Sequence, residues 1–209
     1  MTSKRIRVLV ADDHPMVRAG LTATIDAEPD MCVVGAAAEG QEAVSLFREL
    51  RPSLTLIDLR MPVMDGVAAI QSIIGIAPAA KIIVLSTYQG DEDIYRSLKA
   101  GAITYLLKDM LADELVRAIR DVAAGARPIP QAVGRKLAER MRHTPLTPRE
   151  MDVLRLVAQG FQNKEIAAAL SIADQTAQGH VKSILDKLDA HDRTEAVAVA
   201  ARRGLIRFE

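Results

Sequence analysis

Short apolar runs alternate with longer amphipathic stretches over the first 124 residues. Ile6–Ala11 (IRVLVA) is apolar and rich in β-branched residues. Residues 15–27 follow with helical spacing at Met16, Leu21 and Ile25, then a second strand-like run at 31–36. Gly40–Leu50 is amphipathic, with Ala43, Val44, Phe47 and Leu50 on one face. Leu54–Ile57 is a third apolar run, ending abruptly in Asp58 and followed by the turn signals Met61-Pro62 and Asp65-Gly66. Helical spacing at 67–76, strand runs at 81–85 and 103–107, and helices at Asp91–Ala100 and 111–124 complete the series. Brief apolar runs bounded by turn residues are the mark of buried parallel strands. Five strand–helix units in succession predict a doubly wound five-stranded parallel sheet.

Beyond residue 124 the period changes. Gly125, Pro128 and Pro130 interrupt helix, and Gln131–Met141 regains it with Val133, Leu137 and Met141 in line. We read residues 125–144 as a linker containing one helix. Thr147-Pro148-Arg149-Glu150 then combines an N-cap, a proline at the first helical position and an acid at the third, which is a capping box. Met151, Leu154, Val157 and Ala158 form that helix's apolar face, and Gly160 ends it. Asn163–Leu170 and Asp174–Leu188 are two helices separated by the three residues Ser171, Ile172 and Ala173, the outline of a helix-turn-helix. A plain helical bundle shares that outline. The second of these helices buries Val181, Ile184, Leu185 and Leu188 and offers Gln175, Gln178, Gly179 and Lys182 on its other face. Arg193–Arg203 closes an all-α module over 145–209.

Composition narrows the classes. The 209 residues suit one large or two small domains, and the lack of Trp predicts aliphatic cores. No apolar run has the length of a membrane span. The acids after the first strand exclude a signal peptide, so the expected compartment is the cytoplasm. Cys32 stands alone, excludes an internal disulfide and reads as a small core residue. Residues 1–128 carry 14 Lys and Arg against 17 Asp and Glu, and residues 129–209 carry 13 against 10. An acidic first half followed by a weakly basic second half hints at nucleic acid.

In a doubly wound sheet the C-terminal ends of the strands share one crevice. Asp12 and Asp13 follow the first strand, Asp58 the third, Ser86 and Thr87 the fourth, and Lys108 the fifth. Three carboxylates repel one another, and Mg²⁺, which favours oxygen ligands and accompanies phosphates, would relieve this. A carboxylate beside it can act as nucleophile toward a phosphoryl donor, with Lys108 and Ser86 holding the phosphoryl oxygens. The simpler alternatives are a capping pair at Asp12-Asp13 and a solvated Lys108.

On these residues, with Tyr105, the first 124 positions resemble the receiver domain of bacterial two-component response regulators. The resemblance implies that Asp58 accepts phosphate from a sensor histidine kinase, and that Asp12, Asp13, Asp58 and the backbone carbonyl of Arg60 bind Mg²⁺. It further implies that Ser86 moves to the phosphate, Tyr105 turns inward behind it, and Lys108 pairs with the acyl phosphate. Read from the sequence alone, Tyr105 is equally a half-buried strand aromatic. The strings LTPRE, NKEIA, HVKSIL and DRTEAV resemble the LuxR-type DNA-binding domain over residues 145–206, and the whole chain resembles a NarL/FixJ-type response regulator. This implies a helix at Asp174–Leu188 in the major groove of promoter half-sites, bases facing Gln178, Gly179 and Lys182, and phosphates at Lys164 and Thr176. The chain departs from the pattern where Ala173 replaces the usual Ser, Ala177-Gln178 replaces Val-Lys, and Gly179 lies inside a helix. Those departures predict altered site preference, weak monomer affinity and a homodimer as the active form.

Three function classes follow. The leading one is a phosphorylation-controlled transcription regulator, not an enzyme. A protein-interaction regulator with weakened DNA binding is the second. A phosphatase using the same Asp58 chemistry is the third, with no cap domain to favour it.

Overall fold

A computed structural model describes residues 5–87 and 90–206. The chain folds into two compact units, and the break falls inside a helix after Gly134.

The first unit is a parallel sheet of β1 (Ile6–Ala11), β2 (Met31–Ala37), β3 (Leu54–Ile57), β4 (Ile82–Ser86) and β5 (Thr104–Leu107) in the order β2-β1-β3-β4-β5. Its helices are α1 (Pro15–Asp26), α2 (Gly40–Leu50), α3 (Gly66–Ile76), α4 (Asp91–Ala100) and α5 (Ala112–Ala123). Covering both faces of the sheet explains why β3 and β4 are mostly apolar, with every residue buried, Thr55 and Ser86 included. One core layer joins Val8, Val10, Leu54, Leu56, Ile83, Leu85 and Leu106 of the strands to Leu115, Ile119 and Val122 of α5. The strand order reverses beside β1, and the open end there is the position where such sheets bind ligands.

The second unit contains α7 (Pro148–Ala158), α8 (Asn163–Leu170), α9 (Asp174–Leu188) and α10 (Arg193–Arg203), preceded by α6 (Gln131–Met141). Its core gathers Val153, Leu154, Ile166, Ala177, Val181, Ile184, Leu188, Ala196, Ala200 and Ile206. The capping box at α7 is complete: Thr147 Oγ1 accepts from the Glu150 amide at 3.2 Å, and Glu150 Oε2 accepts from the Thr147 amide at 2.7 Å.

Several expectations are corrected. Met16 shares the helical spacing of Ile25 but lies in the first turn of α1 and is 84% exposed, Ile25 near the other end being the helix's buried residue. Met141, aligned with Val133, is also 84% exposed, since α6 buries only its N-terminal half. Cys32 is only partly buried, because β2 is an edge strand. Tyr105 is fully buried rather than half-buried. Leu111 is the N-cap of α5 and exposed, not its first helical residue.

Candidate functional site: an acidic pocket and a helix-turn-helix

Backbone bonds between strand ends assemble the first site. The Asp58 amide donates to the Ala11 carbonyl at 2.8 Å, which levels the end of β3 with that of β1. The Lys108 amide donates to the Ser86 carbonyl at 3.0 Å, which does the same for β5 and β4. Asp12, Asp58, Ser86 and Lys108 therefore stand along one edge of the sheet. The turn after β3 is equally specified. Asp65 caps α3 by accepting from the Ala68 amide at 2.8 Å. A Cβ on Gly66 would collide with the Asp58 carbonyl oxygen, so only glycine lets α3 begin this close to the acid.

Asp12 and Asp58 are almost wholly buried, and Lys108 answers both. Its Nζ lies 2.6 Å from Asp12 Oδ2 and 2.7 Å from Asp58 Oδ2. Asp58 Oδ1 accepts from the Leu59 amide at 2.7 Å. Burial pushes the Asp58 carboxyl above its ordinary pKa, and Lys108 only partly offsets it. Burial acts to lower Lys108, but its bonds to Asp12 and Asp58 outweigh this and hold the ammonium above its usual value.

The aspartates before α1 do not cap it. The N-cap is His14, with no side-chain cap bond, and Asp12 Oδ1 accepts from the His14 amide at 2.9 Å. Asp13 is about one-third exposed, and its Oδ1 lies 2.7 Å from His14 Nδ1. Ligand atoms from Asp12, Asp13, His14 and Asp58 all lie within 4.8 Å of one another. Three carboxylates at this spacing fit a hard divalent cation. His14 was not singled out from the sequence, although its place directly after the acid pair was visible. Arg18 was also missed; its Nη1 donates to the Asp12 carbonyl at 2.6 Å.

Of the other predicted residues, Ser86 is buried at the end of β4 and Thr87 is exposed beside it. Tyr105 pairs in register with Val84, two residues before Ser86. Arg60 lies in the turn between β3 and α3. In that turn Val63 has φ of 64°, and the Met64 amide donates to the Pro62 carbonyl at 2.7 Å. A β-branched residue in this tight turn is strained.

In the second unit charged bonds fix the helices. Glu150 Oε1 accepts from Ser183 Oγ at 2.6 Å, and the carboxylate accepts from Lys187 Nζ at 2.7 and 2.9 Å. This ties the start of α7 to the middle of α9. Burial would raise the Glu150 carboxyl, but Lys187, Ser183 and Thr147 prevail and bring it down to about 2. Arg149 Nη2 donates to the Leu170 carbonyl at 2.7 Å, and Arg193 bonds the Phe161 carbonyl and Asn163. These long-range partners were not foreseen.

Around α9 the side chains of Gln175, Thr176, Gln178 and Lys182 are exposed, as are Gly179 and, on α8, Lys164. Ala177 is fully buried in the core between them. Ala173 is the N-cap of α9 and offers no side-chain bond. A Cβ at Gly179 would meet nothing within 4 Å, so the fold itself does not require glycine there.

Comparison with known proteins agrees with both units. Residues 8–120 match the response regulator receiver domain, and residues 144–200 match the luxR family of bacterial regulatory proteins. The transcriptional regulatory protein LiaR of Bacillus subtilis is 42% identical, over 96% of this chain and 99% of its own length. The response regulator VraR of Staphylococcus aureus is 40% identical, over 96% and 99%. Among solved structures, RcsB of Salmonella enterica serovar Typhimurium bound to a promoter superposes with a TM-score of 0.74 at 27% identity, covering 95% of this chain and 99% of that one. ChrA, the response regulator of a heme-sensing two-component system, gives 0.58 at 33% identity, covering 97% and 99%. The chain belongs to the response regulators that join a receiver domain to a luxR-family DNA-binding domain and control transcription.

Proposed function

We propose that Asp58 is the phosphoryl acceptor of this regulator, that a sensor histidine kinase supplies the phosphoryl group, and that the modification controls promoter binding by the helix-turn-helix. Residues 1–124 form the receiver, 125–144 the linker and 145–209 the DNA-binding domain. The observation that carries this is the convergence of Asp12, Asp58 and Lys108 within single hydrogen-bond distances at the ends of three strands.

An Asp58 carboxylate oxygen attacks the phosphorus of a phosphohistidine. The P–N bond breaks, its electron pair returns to the imidazole, and an acyl phosphate forms on Asp58. Asp12, Asp13, Asp58 and the Arg60 carbonyl would hold Mg²⁺, and the carboxylate oxygens of the three aspartates, gathered within 4.8 Å of one another, fit that use. When bound, the ion supplies positive charge against three carboxylates and the phosphoryl oxygens. Lys108 changes partner from the free carboxylate to the acyl phosphate. Ser86 and Thr87 bond the phosphoryl oxygens, Tyr105 follows, and the surface of residues 91–105 shifts between two states.

The output is sequence-specific binding by two copies at paired half-sites. Gln178, Gly179 and Lys182 face bases, Lys164 and Thr176 face phosphates, and Gln175 lies on the same DNA-binding face. Gln178 favours adenine where a lysine would favour guanine. Solved relatives support this output, since RcsB is known as dimers bound to DNA. The chain acts as a regulator rather than an enzyme, and in the cytoplasm. No helix among the described residues is long and apolar enough to cross a membrane.

A second reading, regulation by protein contacts with weakened DNA binding, is favoured by the uncapped start of α9 and by Gly179. Genome-wide mapping of bound DNA with wild type and Asp58→Ala separates the two. Discrete bound promoters that fade in the variant support transcriptional control through Asp58. Absence of any bound promoter in both proteins supports the second.

A further inference from the structure

The far end of the receiver sheet, away from Asp58, contains a cleft of about 540 Å³ between the C-terminal ends of α2 and α3 and the start of β4. Its lining includes the cations Arg48 and Arg51, the hydroxyl of Ser53, the apolar side chains of Phe47 and Ile76, and Lys81, whose ammonium donates to the Ala123 carbonyl at 2.6 Å. Among the described residues, no carboxylate lines it, and neither Arg48 nor Arg51 forms an ion pair.

Arg51 stands out further. It is the C-cap of α2 and adopts φ of 45°, in the left-handed region. Three other helices here end in that conformation, at Ser171, Asp189 and Gly204, all with short side chains or none. Glycine or asparagine would sit at residue 51 with less strain. A strained backbone that presents a long, unpaired cation to a cleft points to use of that cation.

Helix dipoles do not exhaust the charge. Two helix C-termini contribute roughly −0.5 each, against the two guanidinium charges, so the cleft keeps a net charge of about +1. Its volume is that of a small-molecule site rather than a macromolecular surface. Neither edge strand, β2 or β5, borders it, which argues against an added peptide strand.

We propose that this cleft binds a small phosphorylated organic molecule of mononucleotide size. The guanidinium groups of Arg48 and Arg51 take the phosphate. Phe47 and Ile76 take the apolar body. Guanidinium groups suit this because their fork matches phosphate oxygens.

The experiment is a calorimetric and heteronuclear NMR titration of the full chain with AMP, with adenosine and inorganic phosphate as separate probes. AMP is expected to bind at submillimolar concentration, to shift the amides of residues 47–53 and 76–81, and to bind more tightly than either fragment. Arg51→Asn keeps a residue suited to the left-handed conformation, and Arg48→Gln keeps the helix. Each is expected to weaken AMP about tenfold, the scale of one lost charge-assisted bond. Unchanged thermal melting of both variants shows that the fold is retained. The proposal is overturned if AMP shifts no amide in those segments, if both variants bind AMP as wild type does, or if inorganic phosphate binds as tightly as AMP.

Discussion

Lys108 Nζ lies 2.7 Å from Asp58 Oδ2, with the lysine side chain 10% exposed and the aspartate 4%. The same ammonium bonds Asp12, so one cation neutralises two buried acids. Lys108→Met therefore leaves two carboxylates facing each other out of water. A loss of about 3 kcal/mol at neutral pH is expected from breaking such a buried arrangement. Denaturant melts measure it, and added Mg²⁺ is expected to restore more stability to the variant than to wild type. Equal stabilisation by Mg²⁺ would show that the lysine and the ion do not share these acids.

Glu150 gives a pH signature in the second unit. Its folded pKa, about 2, lies below the ordinary 4.5. Because the folded value is depressed, the stability it provides is fully present above pH 4.5 and disappears as pH falls toward 2. At neutral pH the shift corresponds to roughly 3 kcal/mol. Glu150→Gln is expected to lose that increment at pH 7 and to flatten the acid limb of the stability profile. An unchanged acid limb would mean that Lys187 and Ser183 do not hold α9 through this carboxylate.

Gly179 can be tested for stability and binding together. The space for a Cβ is open, so Gly179→Ala is expected to stabilise α9 by about 1 kcal/mol, raising the melting temperature of the smaller unit by about 4–8 °C. DNA affinity is expected to rise as well, because a stiffer α9 loses less freedom on binding. A raised melting temperature with weaker DNA binding would show instead that DNA approaches the backbone at this position.

Three exposed apolar side chains follow the strands that end at the acidic pocket: Met16 at 84%, Val63 at 86% and Leu111 at 70%, after β1, β3 and β5. Exposed apolar groups around a reactive acid suit a protein phosphodonor. Leu111→Glu is expected to raise KM about tenfold for transfer from a phosphorylated kinase while leaving modification by acetyl phosphate unchanged. An equal loss with both donors would place the effect on the pocket rather than on docking.

Local signals were legible and long-range pairings were not. The run Leu54–Ile57 with Asp58 behind it revealed β3, and the Thr147–Glu150 spacing revealed the α7 capping box, because both are written within a few residues. The placement of Asp12, Asp13, Asp58, Ser86, Thr87 and Lys108 followed from topology, since a parallel sheet brings strand ends together. The Glu150–Lys187 pair spans 37 residues and joins two helices whose packing no periodicity specifies. Met16 and Met141 kept helical spacing yet face solvent, because spacing defines a helix face and not where the neighbouring layer stops. The left-handed backbone at Arg51 had no sequence marker, since such a cap is ordinarily announced by glycine or asparagine.

Site-resolved mass spectrometry after exposure to acetyl phosphate and Mg²⁺, with promoter affinity followed on the same samples, tests the central claim most directly. One phosphoryl group on Asp58, tighter promoter binding by the modified protein, and neither effect in Asp58→Ala are the predicted results. Modification of Asp58→Ala to the same extent as wild type, or promoter affinity indifferent to the phosphoryl group on Asp58, would contradict it.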